Sequence, residues 1–430
     1  MKKIIALLLA LVMVFALAAC GQSGTPANND TPANNDAPAN NDAPANNNEP
    51  ANSDEPAAAA PLKVGFMFVE DEVSTYDKNF MDAAREVCNE FGLVEGETFL
   101  FKYPVEENEE CAIAAEELVD AGCTVIFADS FNHEPFMMQV AEKYPDVQFY
   151  HATGTQAHTA GLDNYHNAFA AIYEGRFLGG VAAGMKINEM IENGEITADQ
   201  AKMGYVGAYP YAEIVSGMTA FYLGAKYVCP SVTMEVTYTY SWYDLPAEQE
   251  GANNLINRGC VLISQHADSL GAPTACENAG VPNVSYNGST IAAGPNTYLI
   301  ASRINWAPYF RLMLNAALNG DTIPADWTGD FATGSVELYE LNEAVAAPGT
   351  AEKLDEVIAA LEAGTLHVFD TSTFTVNGET LTSYLADVDD LGDWQGETEA
   401  ISDGYFHESE YRSAPYFDLI IDGITNIDEA

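Results

Sequence analysis

Apolar positions from residue 62 onward fall into short runs separated by stretches of helical spacing. Val64-Gly65-Phe66-Met67-Phe68-Val69 is an unbroken apolar run, which predicts a strand covered on both faces. Phe80, Ala83, Ala84, Val87, Cys88 and Phe91 then recur at helical spacing, and Gly92 supplies a stop. The rhythm continues with a strand at Thr98–Tyr103, a helix near Glu110–Ala121 and a strand at Cys123–Ala128. A helix near Pro135–Lys143 and a strand at Val147–His151 follow. Such alternation predicts an α/β fold with a parallel, doubly wound sheet.

The Gly- and Ala-rich segment Asn167–Lys186 reads as a long helix leading into a second lobe, where the same rhythm resumes. Strands are expected at Met203–Gly207, Val232–Tyr238, Cys260–Ser264, Val281–Tyr286 and Thr297–Ala301. Helices are expected at Ala212–Lys226, Ala247–Arg258, Trp306–Leu318 and Ala351–Ala363. The predicted organisation is lobe 1 over residues 62–170 with a return segment at about 290–325. Lobe 2 takes residues 171–289 and part of 326–430. Two such lobes form a cleft, and ligands bind beyond the carboxyl ends of the strands. The loops at those ends are rich in Tyr, Trp, Phe, Asn, Asp and His, which suits stacking on a planar ring and bonding its edge.

The amino end has a different character. Lys2 and Lys3 precede an apolar run, Ile4–Ala19, too short for a comfortable membrane span. It ends Leu17-Ala18-Ala19-Cys20, which resembles the lipobox of bacterial lipoproteins. That resemblance implies a signal peptide over residues 1–20, acylation of Cys20 (palmitate among the chains) and a membrane-anchored protein facing away from the cytoplasm. Residues 21–61 repeat TPANND and APANND, and nothing there can be buried to offset the entropy of ordering. They read as a disordered tether.

Charge narrows the partners. The chain carries 64 acidic against 16 basic residues, a formal net charge of −48. Such a surface repels nucleic acid and highly anionic ligands, so a neutral or weakly basic solute fits better. With Cys20 set aside, Cys88, Cys111, Cys123, Cys229, Cys260 and Cys276 remain; disulfides and buried thiols are both open. No cofactor or metal is expected, since His151, His158 and His166 lack ligand spacing. Without a GxSxG motif or an activated nucleophile the chain does not read as an enzyme. Without a P-loop, any ATP is hydrolysed by a partner.

Five stretches together resemble a known family: AEKYPDVQFYHATG (141–154), IYEGRFLGGVAAG (172–184), MGYVGAYPYAEIVSGMTAFYLGAK (203–226), YSWYDLPAEQEGANNLINRGCVLISQHADS (240–269) and INWAPYF (304–310). The family is the basic membrane protein family, the PnrA-like substrate-binding lipoproteins of ABC transporters. The resemblance implies a type-I periplasmic-binding fold of two Rossmann-like lobes and a purine nucleoside or nucleobase as ligand. An ABC permease and its ATPase are then the partners. A ligand-sensing lipoprotein and a surface nucleoside hydrolase are the alternatives.

Carried over residue by residue, the family's first-loop Asn corresponds to Asn79, with Tyr76 and Phe80 as ring neighbours. Its acidic residue after a later strand is replaced by Asn287, and its Lys by Asn305 beside Trp306. Those departures leave nucleoside and free base both open. Ser130 and Phe131 follow a strand and are expected to face the cleft, as are Trp242, Gln265 and His266. Trp242 suits either stacking on a ligand or filling a core gap. Asp244 and Asp268 suit helix caps, and Glu213 suits either the cleft or a helix start.

Overall fold

The computed structural model describes residues 62–388 and 395–428; the expected signal segment, Cys20 anchor and tether lie outside the described residues. The chain begins with β1 (Val64–Met67), α1 (Thr75–Glu90), β2 (Phe99–Lys102), α2 (Glu109–Asp120), β3 (Val125–Ala128) and α3 (Glu134–Lys143). Next come β4 (Gln148–Ala152), the short α4 (Ala157–Ala160) and β5 (Tyr165–Ala170). These strands form one parallel sheet, extended at its far edge by β11 (Asp326–Gly329), in the order β11-β5-β4-β3-β1-β2. All four residues of β1 and of β3 are buried, as unbroken apolar runs require when helices cover both faces.

The second lobe follows with α5 (Ile172–Glu192), β6 (Lys202–Gly207), α6 (Ala212–Val228), β7 (Thr233–Tyr238), α7 (Leu245–Asn257) and β8 (Leu262–His266). It continues with α8 (Gly271–Ala279), β9 (Asn283–Tyr286) and β10 (Tyr298–Ile304). Its sheet runs β12-β10-β9-β8-β6-β7 and closes on a last strand, Ile424–Asn426; only β12 (Val336–Leu338) is antiparallel to its neighbour.

Two of the sequence expectations need correction here. Residues Tyr165–Ala170 form a strand, not the start of a helix; they are buried throughout and pair with β4 and β11. Their Ala, His and Asn content hid them, because burial between two neighbours decides strand formation more than intrinsic preference. The return to lobe 1 starts after Ile304, not at about 290, because β10 stays in the second sheet. It comprises α9 (Ala307–Asn319), whose apolar face joins the lobe 1 core, and β11. The six described cysteines are all buried free thiols.

Helices α5 and α6 pack with their backbones nearly touching. A Cβ added to Gly180 would lie 2.0 Å from the Phe221 carbonyl oxygen, and one on Gly224 would lie 1.9 Å from that of Phe177. Glycine is required at both places for the helices to meet at all. Beyond α10 (Thr350–Glu362) the chain is largely irregular, yet Phe369, Phe374, Phe406 and Phe417 pack into the lobe 2 core. Part of this carboxyl-terminal segment also reaches lobe 1: the Ser413 amide donates to Asp326 Oδ2 at 2.8 Å, and the Thr328 hydroxyl to the Ser409 carbonyl at 3.1 Å.

Candidate functional site

The carboxyl ends of both parallel sheets face one cavity of ≈ 450 Å³. Lobe 1 contributes Glu70, Tyr76 and Asp77 from the β1–α1 connection, Ser130 and Phe131 after β3, and Thr153 after β4. Lobe 2 contributes Glu213 at the start of α6, Trp242 after β7, His266 and Asp268 after β8, and Asn287 after β9. The lobes are closed on it. The Thr75 amide donates to the Asp268 carbonyl at 3.0 Å, and the Phe131 ring lies 6.0 Å from that of Tyr211.

Each loop is held by its own bonds. Ser74 caps α1, and Asp77 accepts from the Glu70 amide (2.8 Å) and the Ser74 hydroxyl (2.6 Å), folding the 70–74 loop over the helix start. His151 Nε2 holds the Ser130 carbonyl at 2.6 Å. The buried Glu134 carboxylate accepts from the Thr155 and Gln156 amides and from Asn167, which fixes the turn carrying Thr153. Thr153 (φ 64°) and Asn287 (φ 61°) both stand in the left-handed region. For a β-branched Thr this is costly, and strain of this sort gathers at ligand sites. In lobe 2, Glu248 accepts from the Ser269 and Asp244 amides, and Asp268 donates its amide to the Trp242 carbonyl.

Several polar atoms in the cavity wall and behind it are under-satisfied. Trp242 Nε1, His266 Nδ1, Asn287 Nδ2 and the Tyr286 hydroxyl are buried without a hydrogen-bond partner among the described residues, as are both carboxyl oxygens of Asp129 behind Asp77. Buried donors and acceptors are nearly always paired, so the orphaned Trp242 and Asn287 donors in the cavity wall suit a place for a ligand. Burial pushes the Asp129 carboxyl well above the ordinary range, and the neighbouring Asp77 charge pushes it further. Burial does the same to Asp268, reinforced by Asp77, Glu248 and Glu213. Asp77 itself is raised by burial and held back by its hydrogen bonds to Ser74 and Glu70. His266, 3.5 Å from Glu213, has its pKa lowered by burial despite that carboxylate. Arg176 lies close by, sealed beneath the Tyr286 ring at 4.7 Å and bonded to the Tyr205 hydroxyl and the Gln265 carbonyl. It braces the ends of β8 and β9 without reaching the cavity.

Six of the residues expected from sequence line the cavity: Tyr76, Ser130, Phe131, Trp242, His266 and Asn287. Five lie elsewhere. Asn79 donates to the Ile304 carbonyl at 2.6 Å and so pins the crossing between lobes. Phe80 and Trp306 stack on each other at 4.3 Å in the lobe 1 core. Gln265 is spent on Asn283 and Ser285 within the sheet, because strand alternation turns it away from the face His266 uses. Asn305, just before α9, accepts from the Ala307 amide and also donates to the Gly334 carbonyl. Asp244 does cap α7, accepting from the Ala247 amide, whereas Asp268 caps nothing and lines the cavity. Glu70, Asp77 and Thr153 were not anticipated. Asp77 had a signal, since it sits three residues after a capping Ser at the mouth of a βα loop; Thr153 had none.

The comparisons with known proteins agree with this geometry. Residues 64–362 match the family model described as ABC transporter substrate-binding protein PnrA-like. A purine-binding protein of Brucella abortus is 30% identical over 316 residues, covering 73% of this chain and 84% of that protein. A Haloferax volcanii protein, provisionally named an ABC transporter glucose-binding protein, is 33% identical over 247 residues, 57% of this chain and 58% of its own length. Among solved structures, solute-binding proteins of ABC transporter systems from Aeropyrum pernix and Conexibacter woesei superpose with TM-scores of 0.60 and 0.58 at 15% and 17% identity. The former match covers 72% of this chain and 93% of the other, the latter 71% and 98%. These neighbours carry the type-I periplasmic solute-binding fold. With two lobes closed on one cavity and the family model covering most of the folded part, the chain belongs to the PnrA-like substrate-binding proteins of ABC transporters, which take up a small molecule outside the cytoplasm and present it to a permease.

Proposed function

We propose that the cavity binds a planar, uncharged heterocycle bearing N–H donors, a purine base or its nucleoside, for delivery to an ABC importer. The observation that carries this reading is the pairing of rings from both lobes with carboxyl groups at their edges. Tyr76 and Phe131 come from lobe 1 and Trp242 from lobe 2, and Asp77, Asp268 and Glu213 stand around them. Rings offer faces for stacking, and carboxylates accept from N–H edges. No Lys or Arg lines the cavity among the described residues, which disfavours phosphates and amino-acid carboxylates. The purine-binding relative supports the ligand class, while the relative named for glucose makes a sugar the reading to test against.

Attachment through an acylated Cys20 completes the proposal, with the Pro- and Asn-rich stretch as tether. Mass spectrometry of small molecules released on denaturing the purified protein tests the ligand class. A planar nitrogen heterocycle is expected; an amino acid or a free hexose contradicts the reading.

A further inference from the structure

Away from the cavity between the lobes, three side chains of the carboxyl-terminal segment stand in a row of hydrogen bonds. A short hairpin pairs Ile401–Ser402 with Tyr405–Phe406 through a turn at Asp403 (φ 49°) and Gly404 (φ 91°). The Ser402 hydroxyl stands 2.6 Å from His407 Nε2, and His407 Nδ1 stands 2.8 Å from Glu410 Oε2. A carboxylate only accepts, so Nδ1 carries the proton, and Nε2 of the neutral ring accepts from the serine hydroxyl. A hydroxyl on a base, with the base oriented by an acid, is the arrangement that activates a nucleophile for acyl transfer, whatever the order along the chain. All three residues lie beyond the stretch 64–362 that matches the family model, and none lines the cavity between the lobes.

The base is fixed in place. His407 is buried, its amide donates to the Ala400 carbonyl at 2.8 Å, and its carbonyl accepts from the Tyr416 hydroxyl. Its ring lies 4.0 Å from that of Tyr405, which stacks in turn on His367 at 3.7 Å. The Thr371 amide and hydroxyl both donate to the Gly404 carbonyl at 2.9 Å and hold the turn. Ser402 is exposed, so a substrate reaches it from solvent. The Asp403 and Gly404 amides have no acceptor among the described residues, and successive turn amides suit a developing oxyanion. A hollow of ≈ 560 Å³ borders Tyr405 and Glu410, with Leu361, Leu366 and Phe369 among its walls. Glu174 lines it too, so an anionic group is repelled and a neutral acyl chain fits.

We propose that Ser402, His407 and Glu410 form a second site, which hydrolyses small uncharged carboxylic esters. Ser402 Oγ bonds to the ester carbonyl carbon as its proton passes to His407 Nε2. The imidazolium so formed keeps Glu410 at Nδ1 and has the Ser402 carbonyl 3.3 Å from Nε2. The bond to the alcohol oxygen breaks, and the alcohol leaves with that proton. Water then attacks the acyl-serine, giving a proton to His407, and the carboxylic acid departs as the proton returns to Oγ. Glu410 touches no reacting atom and is a positioning residue.

Incubation of the full chain with a fluorophosphonate, which loses fluoride to an activated serine, and with p-nitrophenyl butyrate tests it. Peptide mass spectrometry is expected to find the phosphonyl adduct on Ser402. Ester hydrolysis is expected to fall about 100-fold or more in Ser402→Ala and in His407→Gln. Ser402 and Glu410 are exposed, so replacing either is compatible with the fold. Glu410→Gln is expected to lower kcat about tenfold with KM unchanged. No adduct on Ser402, or hydrolysis as fast in Ser402→Ala as in the unaltered chain, overturns the proposal and leaves solute binding untouched.

Discussion

Asp268 shows how one side chain links loop geometry to ligand choice. Its amide is tied to Trp242 and its carbonyl to Thr75 across the cleft, while its carboxyl faces the cavity. Burial raises its pKa, and the charges of Asp77, Glu248 and Glu213 raise it further, so its ionised, accepting form is disfavoured. Affinity for a donor-bearing base is therefore expected to fall as the pH is lowered across the range in which the fold is stable, since acceptance requires the ionised form. Titration across that range in buffers of different ionisation enthalpy reads both the affinity and the proton release; tighter binding in acid contradicts the assignment. Asp268→Asn is expected to weaken binding by about 1.5–3 kcal/mol, the usual worth of a charge-assisted hydrogen bond. The sequence already suggested Tyr76, Phe131, Trp242 and His266, because polar and aromatic residues cluster just after apolar strand runs. It misassigned Asp268, since an Asp three residues before a helix reads as a cap from spacing alone. Phe80 belongs to the core by its place in the 80, 83, 84, 87 stripe.

At the scale of elements, the α5–α6 contact sets how lobe 2 is assembled, and it depends on atoms that are not there. Gly224→Ala would drive a Cβ into the Phe177 carbonyl, so the helices must separate and the packing behind Arg176 must loosen. The expected cost is about 2 kcal/mol or more, within the range for overpacked cores, and urea unfolding measures it. An unchanged midpoint contradicts the contact. The carboxyl-terminal segment is governed by a different residue. Burial raises the Glu408 carboxyl to about 7, against the amide bonds that favour its charge. A carboxyl raised in the folded state contributes stability fully present below its unfolded value and lost as the pH rises through about 7. Glu408→Gln is thus expected to flatten the decline in melting temperature between pH 5 and pH 8; an unchanged slope contradicts this. Helices and strands before residue 320 were legible because their apolar periods are clean. Strand Tyr165–Ala170 and the irregular segment after Glu362 were not, since tertiary burial alone defines them.

For the molecule as a whole, the chain passes between lobes after β5, after β10 and after β11, and a fourth link is the segment around Ser409–Ser413. The two-lobe plan followed from strand–helix alternation, whereas the crossing points depended on which sheet β10 and β11 join, a choice that local sequence does not encode. The consequence for function is a cavity whose walls come from both lobes, so a ligand that fills it stabilises the closed form and raises the melting temperature by mass action. The central claim is that the cavity selects planar, uncharged, donor-bearing molecules. Calorimetric titration of the full chain with a panel of purine bases and nucleosides, glucose, amino acids and nucleoside monophosphates addresses it most directly. Saturable binding of at least one purine base or nucleoside, with no heat from the monophosphates, the sugar or the amino acids, is the predicted result. Saturable binding of glucose, an amino acid or a monophosphate with none by any purine base or nucleoside would contradict it.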